Sequence, residues 1–406
     1  MYKRQVFKEA FYIAGTGRPG PVLIDIPMDV QKSVIDFEYP EKCEIRSYKP
    51  TTKGNYVQVR RVMAALEEAE KPLICIGGGV FAAHAENEIR ELADLMQIPV
   101  ITTMMGISVF PDDDQLFCGM IGTHGVKMAN AAVNECDVLF LVGARVGDRA
   151  VKTPLALEKT TKIIHIDIDP AEIGKNIGAD LPLVGDAKLV LQQMTELAKP
   201  MKHDEWIAHI KTLGGERKYV EPAKGTVNPR VFIDKLAKKM PANVTVVADV
   251  GQNQIWTCTE YKFRKEGRLL TSGGMGTMGY SVPAAIGAKM ADDSRATVAI
   301  CGDGAFQMSF MELATAVQFG VDIKVVVMTN NRLGMVRELQ TNGYHDRQTA
   351  VFLDGSPDFI KLAEAYGIPA MRVYDDDTME KGIEMLAEHK GICLVEVVVD
   401  KDMPTL

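Results

Sequence analysis

The stretch ATVAICGDGAFQMSFMELATAVQFGVDIKVVVMTNNRLGMV, residues 296–336, decides the fold class. It opens on an apolar run, Thr297–Ile300, that ends in Gly-Asp-Gly. A helix-compatible stretch follows, and a second apolar run, Lys324–Met328, ends in Asn-Asn. Strand, helix and strand in that order form a parallel crossover unit, whose right-handed connection leaves both carboxyl ends on one edge of the sheet. Asp303 and Asn330, distant in sequence, are therefore expected side by side at that edge.

Two converging side-chain oxygens suit magnesium, which takes oxygen donors in near-octahedral array and is held by one or two side chains plus phosphate oxygens. The expected ligands are Asp303, Asn330 and the main-chain carbonyl of Arg332. Gly302 and Gly304 let backbone approach closely, and a helix starting near Ala305 would aim its free N–H groups at an anion. A diphosphate bridging the metal and the helix end is the expected occupant. Gly251, Gln252 and Asn253 follow a further apolar run, Val244–Ala248, and are assigned to the same diphosphate, with the Asn253 amide able to donate to a phosphate oxygen.

The same alternation extends outward. Runs at Leu73–Ile76, Val100–Thr102, Val138–Val142, Ile163–Ile168 and Leu394–Val399 each end in turn residues and lead into helical patterns, which indicates the α/β class with two doubly wound parallel-sheet domains. A remnant of a third domain is expected at 1–37, including a strand at Val22–Ile26. A polar linker follows at 38–54, then a central nucleotide-type domain at 55–190, a second linker at 191–225, and the domain with the metal site at 226–406. In the central domain, IGGGV (76–80), GMIGTHG (119–125), GARVGDR (143–149) and IDIDP (166–170) are strand-end loops of the kind that line a dinucleotide crevice.

Composition removes other classes. In 406 residues, 46 basic against 54 acidic side chains give a net charge of −8, which offers nucleic acid no footprint. Seven dispersed cysteines without a CxxC pair read as reduced thiols of a cytoplasmic protein. The amino terminus has no signal-type apolar region and no run reaches the roughly 18 apolar residues of a membrane span, so neither secretion nor a membrane partner is expected.

Beyond the GDG and NN pair, TSGGMGTMGYSVPAAIGAK (271–289), DVGQNQIW (249–256) and GARVGDR complete a resemblance to thiamine-diphosphate enzymes, and within them to the acetolactate synthase large-subunit family, over nearly the whole chain. The resemblance implies a transferase of branched-chain amino acid biosynthesis that decarboxylates pyruvate and ligates the two-carbon unit to a second 2-oxo acid. It implies thiamine diphosphate, Mg2+ and FAD as cofactors. The Gly276 carbonyl would meet the amino group of the cofactor's pyrimidine, and Met278 would wedge between the two rings to hold them bent, bringing that nitrogen against the reacting carbon. Gly78, His124, Gly125, Gly143, Arg145, Arg149, Asp167 and Asp186 would contact FAD, and Met335, Val336 and Leu339 would line the acceptor pocket.

The family also implies a homodimer or tetramer and a small regulatory subunit. Three positions depart from its pattern: Asn253 stands for a usual His, Gly147 for the first Asp of GARFDDR, and Leu339 for a Trp associated with preferring 2-oxobutanoate over pyruvate. Only residues 6–30 resemble the end of the family's pyrimidine-binding domain, so the chain is expected to be a fragment, inactive alone. The competing readings are another thiamine-diphosphate-dependent 2-oxo acid decarboxylase, a glyoxylate carboligase, and a non-catalytic cofactor-binding module.

Overall fold

The computed structural model describes residues 2–36, 41–215 and 219–406, with the side chains of 2–4 left aside. The expected boundary at 37/38 and residues 216–218 of the second linker lie outside the described residues. Twelve strands form two parallel six-stranded sheets. The first comprises β1 (Pro72–Ile76), β2 (Val100–Thr102), β3 (Phe117–Met120), β4 (Val138–Val142), β5 (Lys162–Asp167) and β6 (Leu181–Val184), in the order β3-β2-β1-β4-β5-β6. The second comprises β7 (Thr245–Ala248), β8 (Arg268–Thr271), β9 (Thr297–Gly302), β10 (Lys324–Thr329), β11 (Ala370–Val373) and β12 (Cys393–Val398), in the order β11-β12-β10-β9-β7-β8. The chain divides into two compact units, Met1–Pro99 with Val133–Ile207, and Val100–Ala132 with Ala208–Leu406.

In the second sheet the side chains alternate between two buried faces, as a pleat requires. Val246, Val298, Ile300 and Val326 face one cluster with Phe232, Leu236 and Ile383 from helices Pro229–Lys239 and Asp376–Glu388. Val247, Ala299, Cys301 and Val325 face the other with Val282 and Ile286 from helix Ser281–Ala291 and Phe359 from helix Phe359–Ala365. Sidedness of this kind is what holds the carboxyl edges of β7, β9 and β10 in register, through the pairs Ala248↔Ile300 and Met328↔Gly302.

Two expectations need correction. Val22–Ile26 is not a strand: no neighbouring strand supplies ladder bonds there, and Leu23 is 89% exposed. The helix expected from Ala305 is a single turn, Asp303–Phe306. It stops because Ser309 leaves helical dihedrals (φ −144°), and a 3-10 turn, Phe310–Glu312, precedes the next helix, Leu313–Gln318. Its dipole is correspondingly short. The linker tract 191–225, whose sequence carries helix patterns, forms a helix at Asp204–Leu213, and the Trp206 indole, in the unit that holds β1, donates to the Pro72 carbonyl at 3.0 Å.

All seven cysteines are free, and all but the half-buried Cys43 are buried. Burial pushes the thiols of Cys75, Cys118, Cys136 and Cys258 up to about 12 and that of Cys393 to about 11, and raises that of Cys301 well above its ordinary value. Since the thiolate is the reactive form, a thiol reagent at neutral pH is expected to label Cys43 rapidly and the others only after denaturation. Timed colorimetric thiol titration checks this, and rapid release of more than one equivalent would contradict it. Among the described residues no helix is long and apolar enough to cross a membrane.

Candidate active site

Strand order places the site before any side chain is considered. From β7 the chain moves to β8 on one side, then returns across β7 to β9 and continues to β10 on the other. The reversal makes the gap between the carboxyl ends of β7 and β9 a topological switch point, where doubly wound sheets bind ligands. A cleft opens there, lined by Gly251, Gln252 and Asn253 after β7, Gly302 to Ala305 after β9, Asn330 and Arg332 after β10, and Met278, Met335, Val336 and Leu339. Every sequence-assigned residue of this second site therefore lies in one place except Gly276, which sits in the exposed turn before Met278 with φ +64° and outside the lining.

Asp303 is the electrostatic centre. It is 2% exposed, its Oδ1 accepts from Gly304 N at 2.8 Å, and its Oδ2 accepts from Asn330 N at 3.1 Å and Asn331 N at 2.7 Å. The two residues of the GDG and NN motifs thus meet directly. Burial nonetheless pushes the Asp303 carboxyl up to about 6, because three N–H dipoles do not replace the water that the charge has lost. A buried carboxylate with dipoles for company and no cationic partner is what a divalent ion would relieve. Asn330 Oδ1 accepts from Arg332 N at 3.1 Å and keeps its second lone pair. Among the described residues no cluster of three His, Cys, Asp or Glu side chains forms, so a cation at this edge would complete its shell with carbonyl, water or phosphate oxygens.

Around this centre the side-chain amides of two residues assigned to the diphosphate are engaged within the protein. The Asn253 NH2 donates to the carbonyls of Asp249 (2.8 Å) and Ile300 (3.1 Å), and its Oδ1 stands toward Gly251 and Gly302. The donor expected to serve a phosphate is therefore committed to main chain. Gln252 is likewise engaged: its Oε1 accepts from Asn330 Nδ2 at 3.2 Å and its Nε2 donates to the Met403 carbonyl at 2.9 Å.

Asp249, quoted in a motif but assigned no role, proves central to the geometry. Fully buried at the end of β7, it accepts from Gly279 N (3.0 Å) through Oδ1 and Ser281 N (2.8 Å) through Oδ2. It thereby pins the loop that carries Met278, whose Cε lies 3.5 Å from the point where a Cβ on Gly304 would stand. The only sequence signal was an acidic residue directly after a buried strand.

Gly334 shows how little slack the site has. A Cβ there would stand 1.9 Å from Gln252 Oε1 and 3.0 Å from Asn330 Nδ2. Gly334→Ala is expected to displace both amides and weaken divalent-ion binding on the order of tenfold while the protein still folds, since the clash meets side-chain ends. Magnesium titration of the variant checks this, and an unchanged midpoint would contradict it.

The first sheet offers a different picture. Gly78 caps a four-residue helix, Gly79–Ala82, and Gly143 (φ +57°) follows β4. Arg145 and Arg149 are exposed beyond it. Asp167 Oδ1 accepts from Asp169 N at 2.9 Å, and burial raises its pKa; Asp186 caps helix Ala187–Thr195 through Leu189 N at 3.1 Å. His124 and Gly125, in the other unit, lie half-buried in the turn after β3.

Residues 249–397 match the family described as thiamine pyrophosphate enzyme, C-terminal TPP binding domain, and residues 59–194 match its central domain. The chain is 41% identical over 410 residues to the probable acetolactate synthase large subunit of Methanocaldococcus jannaschii, covering 98% of this chain and 69% of that protein. It is 40% identical to the acetolactate synthase large subunit of Corynebacterium glutamicum (98% and 66%) and 35% identical to the acetolactate synthase isozyme 3 large subunit of Escherichia coli (98% and 71%). The chain thus spans about two thirds of the length of the curated relatives it matches.

Proposed function

Since the chain belongs to the acetolactate synthase large-subunit family of thiamine pyrophosphate enzymes, we propose that it carries thiamine diphosphate and Mg2+ at the β7/β9 switch point and there joins the two-carbon unit of pyruvate to a second 2-oxo acid. The observation that carries this reading is Asp303: a buried carboxylate, raised by desolvation, beside an amide oxygen with a spare lone pair. Asp303, Asn330 and the Arg332 carbonyl would hold the cation, and Gly304 leaves room for Leu333 and Met278 to close against the GDG turn, since a Cβ there would stand 2.8 Å from Leu333 Cδ2. When bound, the thiazolium supplies the electron sink that no amino-acid side chain offers.

The rest falls to the chain itself. Asp249 holds the Met278 loop against the GDG turn, so that the methionine can keep the cofactor bent, with the Gly276 carbonyl as partner for its amino group. Met335, Val336 and Leu339 stand at the mouth of the cleft and would exclude water from the acceptor. Leucine at 339 leaves more room than an aromatic ring, which favours pyruvate as the second substrate or a loose preference. FAD belongs to the same reading through the first sheet, supported by a doubly wound topology with two exposed arginines after β4 and an acid at the end of β5. So do association with further copies and with a small regulatory subunit, supported by the relatives' designation as large subunits.

Product analysis tests the reaction. With pyruvate, thiamine diphosphate and magnesium, 2-acetolactate is expected once the chain is complemented with a pyrimidine-binding domain, and no turnover is expected from the chain alone. Acetaldehyde would indicate a decarboxylase, and cofactor binding without either product a binding module.

A further inference from the structure

An amide serves a hard cation on one side only: its oxygen coordinates and its NH2 does not, so a ligand amide has to be kept from flipping. At Asn330 the restraint can be followed bond by bond. Its Nδ2 donates to Gln252 Oε1 at 3.2 Å. Gln252 is held in one sense in its turn, because its Nε2 faces acceptors throughout: the Met403 carbonyl at 2.9 Å, Thr405 Oγ1 at 3.2 Å and, more distantly, Glu338 Oε2 at 3.4 Å. The Thr405 hydroxyl donates to Glu338 Oε2, and the Thr405 N–H reaches the same oxygen at 3.2 Å. Gln252 and Thr405 are both buried, 4% and 2% exposed, so water does not compete for these bonds.

The direction of the chain of bonds is set by two groups that only accept, the Met403 carbonyl and the Glu338 carboxylate. Glu338 therefore draws the hydroxyl proton of Thr405, which leaves the hydroxyl lone pair to take the Gln252 NH2 and the Gln252 oxygen to take the Asn330 NH2. Asn330 Oδ1, which accepts from Arg332 N at 3.1 Å, is the amide atom left with a lone pair for a cation.

We propose that Glu338 and Thr405 are positioning residues that act through Gln252 to fix which atom of the Asn330 amide faces the cation. The proposal rests on the cofactor reading above and goes beyond it, since it ties the metal end of the cleft to the Met403–Thr405 segment. Neither Glu338 nor Thr405 is among the residues that line the cleft.

The test uses the full chain and follows fluorescence, for which Trp256 in the cleft lining is the reporter. Two midpoints are measured: that of magnesium at saturating thiamine diphosphate, and that of thiamine diphosphate at saturating magnesium. Thr405→Val is expected to raise the magnesium midpoint about tenfold and leave the thiamine diphosphate midpoint in place. Thr405→Ser, which keeps the hydroxyl, is expected to restore the wild-type value. Glu338→Gln, which keeps the shape but removes one of the two groups that only accept, is expected to shift the magnesium midpoint in the same direction, and it decides the matter should Thr405→Val fail to fold. Unchanged magnesium midpoints, equal losses in the valine and serine variants, or a shift confined to thiamine diphosphate would each overturn the relay. A wild-type chain that gives no magnesium-dependent signal at all would instead overturn the cofactor reading on which it rests.

Discussion

An Asp303→Ala chain is expected to lose the thermal stabilisation that magnesium and thiamine diphosphate together give the wild type. The side chain supplies a carboxylate in the cleft lining and organises the N–H groups of Gly304, Asn330 and Asn331 around it. Loss of residues that merely orient a metal ligand costs about 10- to 100-fold in affinity, and loss of the ligand itself exceeds that. Asp303→Asn separates charge from shape, because its NH2 would have to face one of those three donors.

The pH dependence has a definite sign. The folded carboxyl titrates at about 6, above the roughly 3.9 of an unperturbed aspartate, so its contribution to the stability of the cofactor-free protein is full at low pH and lost as pH rises through 6. Ionised Asp303 burdens the empty fold, and a cation removes the burden. The shift in Tm on adding magnesium with thiamine diphosphate should therefore be large at pH 7.5 and shrink as pH falls through 6, where protons compete for the same oxygens. A shift independent of pH across that range, or one retained by Asp303→Ala, would remove Asp303 from the cation.

The second large effect concerns stability. At the switch point of the first sheet, Gly77 N donates to the Val142 carbonyl at 2.9 Å and Gly79 N to the Gly143 carbonyl at 3.0 Å, bringing the loops after β1 and β4 into backbone contact. A Cβ on Gly77 would stand 2.1 Å from the Gly143 oxygen and 2.5 Å from Ala144 Cα, with main chain on both sides and no flexible end to move aside. Gly77→Ala is accordingly expected to destabilise by about 3 kcal/mol or more, lowering Tm by roughly 10 °C. Scanning calorimetry measures it, and a variant melting with the wild type would show that the two loops are not in contact. The run of three glycines, weak as a sequence signal, here serves the approach of one loop to another.

How much of this the sequence carries depends on where each element lies. The eight strands expected in the two sheets are present, and the four that went unrecognised, β3, β6, β8 and β11, are the four edge strands. Central strands of a parallel sheet are covered on both faces and appear as unbroken apolar runs, as in VLFLV of β4. Edge strands are half-exposed and interrupted: β8 carries Arg268, β11 Arg372 and β6 Pro182, so their pattern reads as loop.

The site divides similarly. The meeting of Asp303 and Asn330 followed from crossover geometry alone. The commitments of Asn253 and Gln252, and the pinning of the Met278 loop by Asp249, depend on partners 30 or more residues away whose direction no local pattern reveals. The short helix after Asp303 was hidden for the opposite reason, since the break at Ser309 is a backbone event inside a stretch whose composition permits a longer helix.

The most direct test is to locate the ion. Crystals of the chain grown with thiamine diphosphate and Mn2+ in place of Mg2+ should give an anomalous peak about 2.1 Å from an Asp303 carboxylate oxygen and from Asn330 Oδ1, with a diphosphate oxygen completing the contact. Cofactor density with the peak elsewhere, or with no peak beside Asp303, would contradict the account.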